Sequence, residues 1–548
     1  MRNGERNGFI GDIYGGLTAA VVALPLALAF GVASGVGAIA GLYGAIPVGF
    51  FAAVFGGTPS QVSGPTGPMT VVMATIVAQF ADNLPQAFAI VVLGGLLQIG
   101  FGLMRVGRYV SYTPYSVVSG FMSGIGVIII LIQTLPFVGA AAVSGGPMGA
   151  VMAWPAVVQG INTDALMIAL IALAIMIFWP HRFGRYLPAP LAALIAGTLA
   201  GQFVFHTAPI IGYVPTGLPA LQIPSVDLAS LPAIVKPALI LALLGSIDSL
   251  LTSLVADSIT RSRHNSNREL IGQGIGNVAA GLIGALPGAG ATMRTVVNVR
   301  AGGRTRLSGA LHALILLALV LGLGPIAEQI PHAALAGILM KVGWDIIDWS
   351  YLKRFRSAPR DKLTVMLVTL TLTVFVDLVT AVAVGLILAG FVTARWMETE
   401  ELKGITQLAL PENEDSLSET ERAALKRNNG KIALLALRGR FSYASARELV
   451  QRIGMGISGY QVAIFDFTEA AHIDTSAALS IEAMLESAQE EIKGVFVSGL
   501  SGSAEETLIR LGALQHVPES HITQTRMQAI ECATALLKDL ENTPPSEA

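Results

Sequence analysis

A carboxylate and a hydroxyl four residues apart, deep in an apolar run, are the first residues here with chemistry to do. Asp248 and Thr252 lie in Leu244-Gly-Ser-Ile-Asp-Ser-Leu-Leu-Thr-Ser-Leu-Val. On a helix they share one face. A charge inside a bilayer costs about 3 kcal/mol or more unless it is paired or hydrated. Two glycine-rich segments offer it company. One is Gly64-Pro65-Thr66-Gly67-Pro68-Met69-Thr70-Val71-Val72, the other Gly288-Ala289-Gly290-Ala291-Thr292-Met293-Arg294-Thr295-Val296-Val297. Each reads Gly-x-Thr, then Met, then Thr-Val-Val. A helix that starts at mid-membrane leaves its first N–H groups unpaired and its positive dipole end exposed. Two such ends facing each other form an anion site, and Thr66 and Thr292 add hydroxyl donors. Asp248 and Thr252, beside the carbonyls of an unwound 290–292 segment, make an all-oxygen cation site suited to sodium. The same carboxylate would equally carry a proton or pair with Arg294. Arg294 in turn would hold the anion, pair with Asp248 or face a cytoplasmic vestibule. The plainer readings are two packing turns related by chance and an aspartate hydrogen-bonded within a bundle.

The elements that must hold these residues are membrane helices. The chain has 548 residues, of which 53% are hydrophobic and 13% charged, with a mean hydropathy of +0.65. Soluble proteins are about 25% charged, so an ordinary soluble enzyme is excluded. The first 400 residues hold 21 basic and 15 acidic side chains, the last 148 hold 13 and 21. A membrane body therefore precedes a soluble tail. With one cysteine, Cys532, there is no disulfide, cysteine zinc site or iron–sulfur site within the chain. No secretory signal is evident; the first apolar stretch reads as a retained helix.

A span needs about 20 apolar residues. Apolar segments fall at 13–33, 38–56, 67–81, 86–104, 114–137, 165–180, 187–206, 235–256, 269–285, 291–299, 307–324, 325–344, 363–377 and 379–396. The third and tenth are too short to cross alone. With the N-terminus in the cytoplasm, the inside loops carry Arg105/Arg108, Arg182/Arg185, Arg261/Arg263/Arg268, Arg300/Arg304/Arg306 and Lys353/Arg354/Arg356/Arg360/Lys362. The outside stretch 138–163 has no Lys or Arg. This pattern obeys the positive-inside rule and places both termini in the cytoplasm. The two short segments are each third in a block of seven, so the second block is inverted. Matched short, Gly/Pro-interrupted segments point to a transporter's binding site. The cluster His264-Asn-Ser-Asn-Arg-Glu269 reads as an exposed loop and a cap for the ninth helix. Asp377 has no assigned role.

In the tail, 399–430 reads as a linker with a short helix at 418–427. Strands at 431–437, 462–467 and 494–498 alternate with helices at 444–453, about 476–490, 504–511 and 527–540. That alternation implies an α/β domain.

These residues resemble the sulfate permease (SulP) family of anion transporters over essentially the whole chain. The opening Gly11-Asp-Ile-Tyr-Gly-Gly-Leu-Thr-Ala-Ala-Val and Ala23-Leu-Pro25-Leu-Ala-Leu-Ala-Phe-Gly-Val-Ala-Ser look like its first span. The tail resembles a STAS domain, whose loop Asp466-Phe-Thr…Ile473-Asp474-Thr475-Ser476 is similar to one phosphorylated in soluble relatives. Within the family, Gly64-Pro-Thr-Gly-Pro-Met-Thr-Val-Val-Met73, Val255-Ala-Asp-Ser-Ile-Thr-Arg261, Glu269-Leu-Ile-Gly-Gln-Gly274, Gly288-Ala-Gly-Ala-Thr-Met293 and Asp345-Ile-Ile-Asp-Trp-Ser350 most resemble the BicA-type, sodium-dependent bicarbonate transporters. The resemblance implies 14 spans as a 7+7 inverted repeat, two half-helices (spans 3 and 10), and core and gate bundles in a transport domain over 1–398. It also implies a linker over 399–430, a cytoplasmic STAS domain over 431–542, a disordered tail over 543–548 and a homodimer assisted by STAS. By the same resemblance Thr66 and Ala291 contact bicarbonate, and Asp248, Thr252, Gly290 and Thr292 hold sodium. Asp474, Thr475 and Ser476 form a regulatory loop. Arg294 and Gly64 depart from the bicarbonate type, which has Gly and Glu there, and look like the wider family. A fixed cation at 294 stands in electrostatically for sodium.

The expected function is secondary active transport of a small inorganic anion, foremost sodium-coupled bicarbonate uptake, with no enzymatic activity. Proton-coupled sulfate or dicarboxylate transport is the rival, with Arg294 binding the anion. A membrane-anchored STAS regulator is the alternative of another class.

Overall fold

The computed structural model describes residues 2–110, 113–143, 146–180, 183, 187–212, 217, 219, 221, 231–354, 357, 359–376, 378–407 and 417–542. Arg182, Arg185, Arg356, Asp377 and the tail 543–548 lie outside the described residues. Contacts divide the chain into two units, Met1–Ala389 and Gly390–Ala548.

The first unit is helical. Its elements are α1 Arg2–Ala33, α2 Ala38–Phe55, β1 Ser63–Gly64, α3 Gly67–Gln79, α4 Leu84–Leu103, α5 Gly107–Val110, α6 Tyr115–Phe137, α7 Gly146–Val157, α8 Thr163–Phe178 and α9 Ala189–Phe203. There follow α10 Leu231–Thr260, α11 Ser266–Leu282, β2 Ala289–Gly290, α12 Thr292–Arg300, α13 Arg306–Ala327, α14 His332–Ile346, α15 Trp349–Lys353, α16 Arg360–Phe375 and α17 Leu378–Leu402. Each expected apolar segment overlaps one of these helices, but the boundary expected between 324 and 325 falls inside α13, which runs to Ala327, and α14 begins only at His332. Among the described residues, six are long and apolar enough to cross a membrane: Gly8–Ala33, Ala38–Phe55, Leu84–Leu103, Tyr115–Phe137, Pro232–Thr260 and Thr380–Leu402. Three short α-helices among the described residues were not expected: α5, α7 and α15. Twelve-residue α7 lies in the loop 138–163, where a criterion of about 20 apolar residues passes over it.

Two bundles form within this unit. In one, α11 packs on α4 and α2, α13 on α1 and α2, and α10 on α4. In the other, α6 packs on α14 and α16, and α8 on α14 and α9. Among these helices, α8 and α11 start at side-chain caps. The Asn162 side chain accepts from Ala165 N ahead of α8, and Asn265 accepts from Arg268 N ahead of α11.

The second unit is α/β. Its elements are β3 Ile405–Gln407, α18 Glu419–Arg427, β4 Ile432–Leu437, β5 Gly439–Phe441, α19 Ala446–Ile457, β6 Val462–Asp466, β7 Ala470–Ile473, α20 Thr475–Glu491, β8 Gly494–Ser498, α21 Gly502–Arg510, β9 Ile522–Thr523 and α22 Arg526–Asn542. The main sheet runs β3-β4-β6-β8-β9, parallel except for β3. Strands β4, β6 and β8 are buried at every position, as parallel strands covered on both faces must be. Alternate residues feed two cores. Leu435, Phe465 and Val497 join Leu449, Ile481 and Leu508 on one face; Leu434, Ile464 and Phe496 join Ile530 and Leu537 on the other. The stretch 399–430, expected as a linker with one short helix, also carries the end of α17 and strand β3. Strand β3, Ile405-Thr406-Gln407, is ordered by antiparallel pairing with β4, Ile405 opposite Leu437.

Candidate functional site

The two glycine-rich segments meet. Strands β1 and β2 pair antiparallel, Ser63 opposite Gly290 and Gly64 opposite Ala289. The Ala291 amide extends the contact by donating to the Val62 carbonyl at 2.9 Å. Close approach demands glycine: a Cβ on Gly288 would lie 2.9 Å from the Gly64 Cα. Helices α3 and α12 leave this crossing, and neither N-terminus is capped by a side chain. Their first-turn dipole ends are thus set beside one another without a protein carboxylate spent on either, which is what a small anion needs.

Helix α10 runs past the crossing and brings buried carboxylate and hydroxyl oxygens to it. Asp248 is 6% exposed and Thr252 fully buried. Thr66 donates its hydroxyl to Asp248 Oδ2 at 2.8 Å. Thr252 Oγ1 donates to the Gly290 carbonyl at 2.9 Å and stands 2.7 Å from Thr292 Oγ1. Ser249 Oγ accepts from Gly290 N at 3.0 Å. The structure therefore brings Thr66, Asp248, Thr252, Gly290, Ala291 and Thr292 together. It also adds a link that spacing alone did not give: the Thr66 hydroxyl serves Asp248 directly. Arg294, 2% exposed, enters from α12 and donates Nη2 to the Pro65 carbonyl.

A buried acid near the crossing was missed. Glu269 was read as part of a helix cap, yet it is 1% exposed. Its Oε2 accepts from Gly57 N and Thr58 N, and its Oε1 from Gln61 Nε2 and Gln273 Nε2, all at 2.8 Å. Gln273 Nε2 also reaches Ser63 Oγ, and Ser253 Oγ reaches Gln61 Oε1. This network ties α11 and α10 to the loop that enters β1. An acidic residue in the first turn of an otherwise apolar helix was the available signal. His264, expected as an exposed loop residue, is instead half-buried: Asp257 Oδ2 accepts from its backbone N and lies 2.7 Å from its Nδ1. Local turn bonding to Asp257, seven residues earlier, draws it inward.

In the second unit, Asp474 caps α20 by accepting from Ala477 N at 2.9 Å and also accepts from Tyr443 N at 2.8 Å. Thr475 and Ser476 follow it, both exposed. Asp466, 1% exposed, accepts from Arg526 through Nε and Nη2 at 2.9 and 2.7 Å.

The chain is similar to known proteins over most of its length. The profile described as the sulfate permease family matches residues 9–371, and that of the STAS domain matches 423–529. A relative named bicarbonate transporter BicA, from Synechocystis sp., is 43% identical, covering 98% of this chain and 97% of that protein. A solved transmembrane domain of a cyanobacterial bicarbonate transporter BicA is 50% identical with a TM-score of 0.66, covering 68% of this chain and 97% of that one. Murine Solute Carrier 26 family member A9, solved in an inward-facing state, superposes with a TM-score of 0.80 over 96% of this chain and 91% of its own, at 19% identity. That last likeness is one of fold.

Proposed function

The chain belongs to the sulfate permease family, and from that premise we propose that it is a secondary active transporter carrying bicarbonate inward together with sodium. The observation that carries this reading is the β1–β2 pairing, which sets two uncapped helix N-termini beside a buried aspartate. The dipole ends of α3 and α12, lined by Thr66 and Ala291, receive the anion. Asp248, Thr252, Thr292 and the Gly290 carbonyl supply oxygen ligands of the kind a sodium ion takes. A cation at Asp248 offsets the carboxylate's repulsion of the incoming anion, so each ion favours the binding of the other. Binding both before moving either is what symport requires.

The body is read as fourteen spans in two inverted sets of seven in the plasma (inner) membrane, with both termini in the cytoplasm. The STAS domain pairs two copies, and Thr475 and Ser476 regulate it. The 43% identity to a named bicarbonate transporter supports the choice of anion. Buried Arg294 favours a second reading, proton-coupled uptake of sulfate or a dicarboxylate, because a fixed cation beside the site replaces sodium's charge.

Uptake by the full chain in proteoliposomes decides between them, with bicarbonate, sulfate and fumarate each offered with and without external sodium. The first reading expects bicarbonate uptake that needs sodium and disappears in Asp248→Ala. Sodium-independent uptake of sulfate or fumarate that rises as external pH falls, and is lost in Arg294→Gly, establishes the second. Unchanged flux in both variants, with a phenotype arising from the tail alone, leaves the regulator.

A further inference from the structure

Arg294 is held in an unusual way. Nη2 is spent on the Pro65 carbonyl, whereas Nη1 is buried with no hydrogen-bond partner. An unspent donor on a buried cation is costly, and such groups mark places where another species is received. The residue that Nη1 faces is Gly64. Its φ is +153°, a conformation that L side chains rarely adopt, and a Cβ placed there would stand 2.7 Å from Nη1. The carbonyl used by Nη2 belongs to the next residue. Gly64-Pro65 thus forms a seat for the guanidinium, with a bare Cα on one side and a carbonyl acceptor on the other. The seat lies at the crossing, because Gly64 is also the residue that pairs with Ala289.

We propose that Gly64 is a specificity-determining residue of the transport site: by lacking a side chain it seats Arg294 so that Nη1 remains a free, charged donor for one oxygen of a small oxyanion. The proposal rests on reading this site as an anion carrier. Charged donors make the stronger hydrogen bonds, so the seat raises affinity for the anion. Any side chain at 64 pushes the guanidinium out and takes that donor away. A glycine kept only for its backbone conformation would act independently of what stands at 294, and this separates the two explanations.

The test is a double-mutant cycle on the full chain in proteoliposomes, using Gly64→Ala, Arg294→Lys and the double variant. Lysine keeps the charge but has a single nitrogen, so it offers no Nη1 for the new Cβ to displace. Gly64→Ala is expected to raise KM for bicarbonate about tenfold with kcat nearly unchanged, and to change KM less than about twofold in the Arg294→Lys background. An equal factor in both backgrounds overturns the proposal and leaves glycine a purely backbone role. Should a variant transport too poorly to measure, thermal unfolding of the purified chain with and without sulfate or bicarbonate gives the same cycle. The anion-induced rise in Tm is then expected to be clearly smaller in Gly64→Ala than in the wild type; an undiminished rise in Gly64→Ala overturns it. A wild type that moves no bicarbonate, yet shows this coupling with sulfate, refutes the bicarbonate reading and sustains this one.

Discussion

Asp248 and Glu269 are both buried acids near the crossing, and their surroundings are opposite. Glu269 accepts four N–H groups at 2.8 Å, two of them backbone amides. Asp248 accepts from the Thr66 hydroxyl on one oxygen. A carboxylate saturated by fixed donors has no capacity left for a mobile ion; it is an anchor. A carboxylate with lone pairs to spare in a low-dielectric setting takes up a cation or a proton. The hydrogen-bond complement, more than burial, thus distinguishes the residue that holds the site from the residue that works in it.

Breaking the anchor is expected to have the largest effect on stability. Glu269→Ala strands four N–H groups at once. At 1–3 kcal/mol for each unsatisfied group, the loss is about 4 kcal/mol or more, read as a collapse in folded yield and thermal midpoint of the purified chain. Asp248→Asn should do the converse, removing uptake while moving the midpoint by no more than about 2 °C. Equal destabilisation by the two variants would erase the contrast between them. In the second unit, Asp466 adds a third type of buried acid, balanced by a two-point contact from Arg526. Arg526→Ala leaves that charge uncompensated and should destabilise the unit by about 3 kcal/mol, visible as an earlier unfolding transition of the full chain.

The smallest effect belongs to Asp348, half-buried between α14 and α15. Burial pushes its carboxyl up, but bonds from Tyr115, Ser119 and the Tyr351 and Ser350 amides outweigh burial and hold it below the usual carboxylate range. With the folded value below an unfolded value of about 3.9, its contribution is complete above about pH 5. It is lost as pH falls through the folded value. The stability gap between wild type and Asp348→Asn should therefore narrow from about pH 6 to pH 3, and a constant gap would assign Asp348 a purely steric role.

Much of this was legible in the chain because it is written locally. Asp248 is a lone charge in an apolar run, and the two Gly-x-Thr segments announce each other by likeness and by position in the block. What was not legible depends on distant partners. The burial of Glu269 comes from a loop more than 200 residues earlier, so the local sequence permits only a cap. The Thr66 hydroxyl is committed to an acid 182 residues away. Strand β3 is three residues long and is ordered by pairing with β4, about 30 residues later in the chain.

The two-residue ladder between β1 and β2 also has a consequence in time. The backbone of Ser63 and Gly64 finds its partners only when Ala289 and Gly290 have been made. Synthesis runs at about 5–20 residues per second, so an interval of over 200 residues lasts on the order of 10–40 s. Until then the backbone of Ser63 and Gly64 ahead of α3 lacks these partners, and an unpaired polar backbone is expensive in lipid. The crossing therefore cannot assemble until the chain has been made through Gly290. Nascent chains arrested shortly before residue 288 should expose Ser63 and Gly64 to chaperone or protease, and chains arrested well beyond 300 should not.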